Sequence, residues 1–248
     1  GRIAREGPFR EVFVPYAAGD AGTAVGAALL AERAAGGRAL PDPTKHPFLG
    51  PAFDEREVEA ALRRAGASYD RPADTAGTIA AAIADGLVVA RFDGAMEFGP
   101  RALGHRSILA DPRCPEMKDV INRVVKWREP FRPFAPSVPA EDAAAFFDGE
   151  PSPYMAVALR VKPAAAAMLP AVTHVDGTAR VQAVHREWDP AFHALHRSFA
   201  ALSRVPVLLN TSFNISEPIV CSPEHACITM RTATGSGMPP VLRAALIS

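Results

Sequence analysis

The sequence predicts an α/β protein in which strands and helices alternate, preceded by a strand-loop-helix segment. Short apolar strand patterns such as "LVVARFDG" and "VPVLLN" alternate with helical patterns such as "DEREVEAALRRAGA" and "TAGTIAAAIADG". Apolar residues make up 48% of the 248 positions, enough to bury a sizeable core. No apolar stretch approaches the roughly 20 residues that cross a bilayer, so no membrane partner is expected. The 27 basic and 27 acidic side chains cancel. A global field that would attract nucleic acid is therefore absent, and any anion site must be local. Cys114, Cys221 and Cys227 form no CxxC pair and no zinc spacing, which fits a reducing cytoplasm.

At the front, Val12 and Val14 alternate as a short strand, Pro15 and Gly19 turn the chain, and an Ala-rich helix from Thr23 to Ala35 is closed by Gly36-Gly37. The proline-rich stretch "RALPDPTKHPFLGPAF" then carries a domain boundary, dividing the chain into 1–45 and 46–248. A helix from Asp54 to Ala67 has an N-cap, an acidic first turn and Val58, Ala61 and Leu62 on one face. "TAGTIAAAIADG" gives a second helix, and the buried strand "LVVARFDG" leads into the segment "MEFGPRALGHRSILADPR". A helix from Glu116 to Lys126, the strands "YMAVALRV" and "ARVQAVH", an amphipathic helix around Phe192 to Leu202 and the strand "VPVLLN" complete the alternation. From about residue 227 the tail is interrupted by glycine and proline.

Chemistry concentrates in four segments. In the first, Gly99 and Pro100 make a turn from which Arg101 projects, Gly104 lets the backbone pass close to a ligand, and Arg106, Ser107 and Arg113 follow. The bland reading pairs these arginines with Glu97, Asp111 and Glu116. The second segment, "KWREPFRPFAPS", stiffens Lys126, Arg128 and Arg132 between prolines and ends at Ser137. Trp127, Phe131 and Phe134 read as core, with no base-stacking role. In the third, Asp176, Thr178 and Arg180 alternate on one strand face. The fourth, "LLNTSFN", ends a strand in Asn210, Thr211, Ser212 and Asn214. Guanidinium forks match phosphate and carboxylate oxygens in two-point contacts. The set suits a small, multiply anionic ligand such as a nucleotide.

These segments, with "NTSFN..EPIVCSPE", resemble in order and approximate spacing the C-terminal domain of the carbamoyltransferase family of the nodulation and antibiotic-tailoring type, over about His46 to Glu224. The resemblance implies an α/β (α+β) fold: a YrdC-like domain at 46–248, a twisted mixed sheet with helices and an atypical tail, preceded at 1–45 by a strand-loop-helix remnant, the end of an actin-like ATPase domain. It implies that the YrdC-like part binds ATP with Mg2+ and carbamoyl phosphate and forms carbamoyl-adenylate, for transfer to a hydroxyl acceptor. By the same resemblance Arg101, Lys126 and Arg132 are catalytic, and together with Arg180, Asn210 and Ser212 they bind substrate and nucleotide. "PYAAGDAG" is similar to the last motif of the actin-like domain, where an aspartate is an iron ligand, so Asp20 is the matching metal position. The other Fe2+ ligands, two histidines, are expected upstream of Gly1, and the transfer site is expected to be incomplete here.

The function expected is therefore an O-carbamoyltransferase fragment acting in the cytoplasm, with a homodimer left open. A threonylcarbamoyl-adenylate synthase and a non-catalytic nucleotide- or RNA-binding module are the alternatives. The second of these requires exposed aromatics among the arginines.

Overall fold

The computed structural model describes residues 1–37, 46–235 and 242–246; the boundary expected after residue 45 adjoins a segment outside them. The chain begins with α1 (Arg2–Glu6), runs extended, and enters α2 (Asp20–Ala34), which stops before Gly36 at φ +81°. The strand expected through Val12 and Val14 is not formed. Among the described residues nothing pairs with it, and a strand whose N–H and C=O groups meet no partner has no ladder to hold it. Phe13 is 83% exposed, and α2 buries no side chain. The segment is tied down at Ala17, which is buried, and at Tyr16, whose ring meets Phe98 and Tyr154 edge-on.

The next two helices are set by their caps. Asp54 accepts the Glu57 N–H while Glu57 reaches back to the Asp54 N–H, a capping box that starts α3 (Glu55–Arg64). Asp74 accepts from Gly77 and starts α4 (Thr75–Ala84). Then follow β1 (Val88–Phe92), β2 (Arg106–Ala110) and α5 (Met117–Val120), which runs into a π turn over Ile121–Val125. Strand β3 (Ala135–Pro139) leads to α6 (Ala143–Phe146), β4 (Phe147–Asp148), β5 (Ala158–Val161) and α7 (Pro163–Met168). The chain continues through β6 (Thr178–Arg180), β7 (Gln182–Val184), α8 (Pro190–Ser203), β8 (Leu208–Ser212), α9 (Pro223–Gly235) and β9 (Leu242–Leu246).

The main sheet has the order β7-β3-β8-β2-β1-β9, with β7 parallel to β3 and β9 parallel to β1; a second sheet has the order β4-β5-β6. The expected single strand "ARVQAVH" is thus two. Arg180 pairs with Ala158 in the small sheet, whereas Gln182 pairs with Ser137 in the large one, so the chain changes sheets at Val181. Likewise only Ala158–Val161 of "YMAVALRV" is strand. In the tail, residues 236–241 lie outside the described set, yet β9 joins the sheet beside β1.

Alternation along the central strands builds two cores. Val88, Ala90, Phe92 and Ile108 face one side with Phe134 and Val138, while Val89, Leu109 and Leu208 face the other against α4 and α8. Both faces of the sheet are therefore covered, which is why β1, β2 and β3 are buried throughout. Phe192 and Phe199 of α8 are fully buried, each worth about 1.5–3 kcal/mol of transfer energy. This packing holds β2 and β8 side by side, with Ser107 opposite Ser212 and Leu109 opposite Asn210.

Candidate anion and nucleotide site

The loop between β1 and β2 is organised around a buried carboxylate. Glu97 Oε1 accepts the backbone N–H groups of Leu103 at 2.6 Å, His105 at 2.9 Å and Arg106 at 3.3 Å. Ser107 Oγ takes the Gly104 N–H at 2.9 Å, and Arg91 Nη1 donates to the Gly104 carbonyl at 2.7 Å. Glycine is required twice here. Gly99 (φ +137°) and Gly104 (φ +130°) lie in the left-handed region, and a Cβ would come 2.5 Å from the Tyr16 carbonyl oxygen and 2.7 Å from the Phe192 ring respectively.

The three arginines of this segment have separate tasks. Arg106 is fully buried, lies 3.7 Å over the Phe92 ring and donates to the carbonyls of Asp93 and Gly94; burial draws its pKa down to about 10. Arg113 is paired with Asp111, as the bland reading expects. Arg101 is exposed and lines a cavity of about 110 Å³.

Arg128, Arg180, Asn210 and Ser212 line the same cavity. Arg180 has its pKa pulled to about 10, first by burial and then by the charges of Arg101 and Arg128. Arg128 is held by Asn122 Oδ1 at 2.7 Å and lies 4.7 Å over the Phe134 ring; burial, then Arg132, lowers its pKa. Among the described residues no carboxylate forms an ion pair with Arg101, Arg128 or Arg180. Two lining residues each carry a buried polar atom without a partner, Arg180 Nε and Asn210 Oδ1. Such groups are costly to bury unmatched, and clustered cations whose charged forms are disfavoured are a mark of a binding site for an anion.

The other expected residues are placed differently. Lys126 is buried with its Nζ against the Ser212 carbonyl at 2.5 Å, the Asn214 carbonyl at 2.9 Å and Asn214 Oδ1 at 2.8 Å. It touches the cavity through Ser212, whose Oγ is 3.2 Å away, and burial draws its pKa to about 7. Arg132 is exposed and outside the lining, near enough for its charge to be felt by Arg128. Asp176 does not share a face with Arg180: it sits in the preceding turn, where Oδ1 accepts the Thr178 N–H and hydroxyl. Ser137 is core, fully buried between β7 and β8. Of the aromatics read as core only Phe134 is, whereas Trp127 is 53% and Phe131 76% exposed.

Asp20 is exposed at the start of α2, with its carbonyl accepting the Thr23 hydroxyl at 2.6 Å. Among the described residues no three His, Cys, Asp or Glu side chains stand together as metal donors. The cavity lining contains no carboxylate either; it offers a divalent cation only neutral oxygens such as those of Asn210 and Ser212. No helix is long and apolar enough to cross a membrane, among the described residues. Arg128 is not singled out from its segment by the sequence, nor is Gln182, which meets Asn210 from behind the cavity, nor Glu97, which organises the loop before it.

The profile of the family described as "Carbamoyltransferase C-terminus" matches residues 80–238. The chain is 45% identical to nodulation protein NolO of Bradyrhizobium diazoefficiens, over 96% of this chain and 45% of that protein. It is 37% identical to 3'-hydroxymethylcephem-O-carbamoyltransferase of Amycolatopsis lactamdurans, over 86% of this chain and 39% of that one. The chain thus spans less than half the length of these relatives. A solved structure, HypF of T. kodakarensis, aligns over 67% of this chain and 21% of that chain at 20% identity, with a TM-score of 0.47.

Proposed function

This chain belongs to the carbamoyltransferase C-terminus family, and from that membership we propose that its cation-lined cavity binds ATP and carbamoyl phosphate and forms carbamoyl-adenylate. One observation carries the reading: Arg101, Arg128 and Arg180 converge on one cavity without a carboxylate among its lining residues. Two anionic substrates that repel each other need such a place to meet.

In the proposed reaction water cleaves carbamoyl phosphate to carbamate and inorganic phosphate. A carbamate oxygen then attacks the α-phosphorus of ATP, the bond from that phosphorus to the bridging oxygen breaks, and pyrophosphate leaves with its electron pair. Charge accumulates on the phosphoryl oxygens in the transition state, and preoriented guanidinium groups stabilise it there more than in the separated ground states. Arg101, Arg128 and Arg180 supply these contacts, and Ser212 adds a hydroxyl. Lys126 holds the turn that carries Ser212, and Arg132 strengthens the positive field from outside. Magnesium carried in with ATP neutralises phosphate charge, with the nucleotide rather than a protein carboxylate as its main ligand.

The acceptor is proposed to be a hydroxyl compound; one relative is named for transfer to the oxygen of a hydroxymethylcephem. Asp20 stands without partner ligands among the described residues, and no transfer step is assigned to it. A second reading, a module for single-stranded RNA, is favoured by Trp127 and Phe131, exposed beside Arg128, since stacked bases need such platforms.

Pyrophosphate release from ATP separates the two. Release that depends on carbamoyl phosphate and disappears in Arg180→Gln supports adenylate formation. Tight oligonucleotide binding that Trp127→Ala abolishes, with no such release, would favour the RNA module.

A further inference from the structure

Asn210 lines the cavity, with the residue 1% exposed, and its buried Oδ1 has no hydrogen-bond partner. Which atom of this amide is left unpaired is decided behind it. Asn210 Nδ2 donates to Gln182 Oε1 at 2.7 Å and, with a longer contact, to the Ala102 carbonyl at 3.4 Å. Gln182 Nε2 in turn donates to the Leu103 carbonyl at 2.5 Å.

This chain of bonds has one consistent direction. A backbone carbonyl can only accept, so Leu103 fixes Gln182 with its NH2 toward the loop and its oxygen toward Asn210. That oxygen can only accept, so Asn210 must turn its own NH2 to Gln182, which leaves its oxygen as the unpaired atom of a cavity-lining side chain. Gln182 is 4% exposed and is not among the lining residues of the cation cavity. Its position follows from the sheet change at Val181, which puts residue 182 in register with Ser137 of β3 while Arg180 stays in the other sheet.

The lining residues therefore combine guanidinium donors with one buried oxygen that lacks a donor. Phosphate dianions carry none, and they would be repelled by Oδ1. On the reading that the cavity takes carbamoyl phosphate, we infer that Gln182 is a positioning residue that makes Asn210 Oδ1 the acceptor for the carbamoyl NH2, so that the site selects carbamoyl phosphate over acetyl phosphate. The two ligands share charge and shape and differ by NH2 against CH3. The methyl compound leaves the buried oxygen unpaired, and sites built to hold an N–H reject analogues that lack it.

The test is calorimetric titration of the chain with carbamoyl phosphate and with acetyl phosphate. The parent should prefer carbamoyl phosphate by about tenfold or more. Gln182→Met removes both polar atoms at similar length and frees the Asn210 amide to rotate; the preference should fall below about threefold while acetyl phosphate affinity, carried by the arginines, stays within about twofold. Gln182→Glu should restore the preference at pH 6, because a buried protonated carboxyl can donate to Leu103 and accept from Asn210 as glutamine does. That rescue distinguishes orientation of Asn210 from a packing role. Acetyl phosphate binding doubles as the check that each variant is folded. Equal affinities of the parent for both ligands, or an unchanged preference in Gln182→Met, would overturn the inference and leave the carbamoyl phosphate reading standing. Failure of the parent to bind either ligand would overturn that reading, and the inference with it.

Discussion

Lys126 grips the backbone of Ser212: its Nζ donates to the Ser212 carbonyl at 2.5 Å, and the same ammonium reaches the carbonyl and side-chain oxygen of Asn214. An ammonium group has three donors, and three carbonyl-type oxygens surround this one, so little is left for a ligand. Lys126→Met should strand those oxygens and cost about 2 kcal/mol or more of stability in urea unfolding, with carbamoyl phosphate affinity falling because Ser212 moves. A lysine that merely touched the ligand would lose affinity and keep stability.

Arg180 shows the opposite balance. It is held near Arg101 and Arg128 against their mutual repulsion. Arg180→Gln is expected to weaken carbamoyl phosphate binding by about tenfold or more while the melting temperature holds or rises, as when other ligand sites are relieved of like charges. Titration and thermal unfolding of the same preparation decide it; a clear fall in melting temperature would make Arg180 a structural residue.

Arg132 contributes charge from a distance. Since it is exposed and outside the cavity lining, Arg132→Lys should change carbamoyl phosphate affinity by less than about twofold, whereas Arg132→Glu should weaken it measurably at low salt and not at about 0.5 M salt, where screening is nearly complete. A large, salt-insensitive effect of the lysine variant would place the guanidinium on the ligand instead.

His196 sets an acid limit to stability. It is fully buried, its Nδ1–H donates to the Pro206 carbonyl at 3.0 Å, its Nε2 has no partner, and burial draws its pKa down to about 3. The unfolded chain, with an ordinary histidine value near 6.5, binds more protons than the folded one between these limits. The contribution is therefore complete above about pH 6.5 and is lost as pH falls toward 3. Between pH 7 and pH 5 this group alone should cost about 2 kcal/mol in urea unfolding. His196→Asn, which keeps a short donor for Pro206 and does not titrate, should lose less stability over that interval by about 1 kcal/mol or more. Equal losses in parent and variant would assign the acid sensitivity to other groups.

Local chemistry made much of the fold legible. Asp54, with its acidic first turn, announces its helix because a cap is a short-range device, and the Asp74 cap of the next helix works in the same way. Pairing is not short-range, which is why the alternation of Val12 and Val14 pointed to a strand that finds no partner, and why the change of sheet at Val181 is invisible in a run that buries residues on both sides of it. The same limit applies to the site. Arg101, Arg180, Asn210 and Ser212 could be named from their segments, but spacing alone could not say which cation of "KWREPFR" reaches the cavity. The π turn at Ile121–Val125 shifts the helical phase just before this segment, and the outcome is Lys126 inward, Arg128 at the cavity and Arg132 in solvent. Trp127 and Phe131 stand in solvent rather than in the core, because aromatic composition carries no information on which side of a proline-stiffened loop a ring will stand.

The central claim is that carbamoyl phosphate and ATP meet at the arginine-lined cavity. A crystal structure of this chain with carbamoyl phosphate and a non-hydrolysable ATP analogue tests it most directly. The account predicts phosphate density between Arg101, Arg128 and Arg180, with the carbamoyl nitrogen against Asn210 Oδ1. Ligand density elsewhere on the chain, with these three guanidinium groups left in solvent, would contradict it.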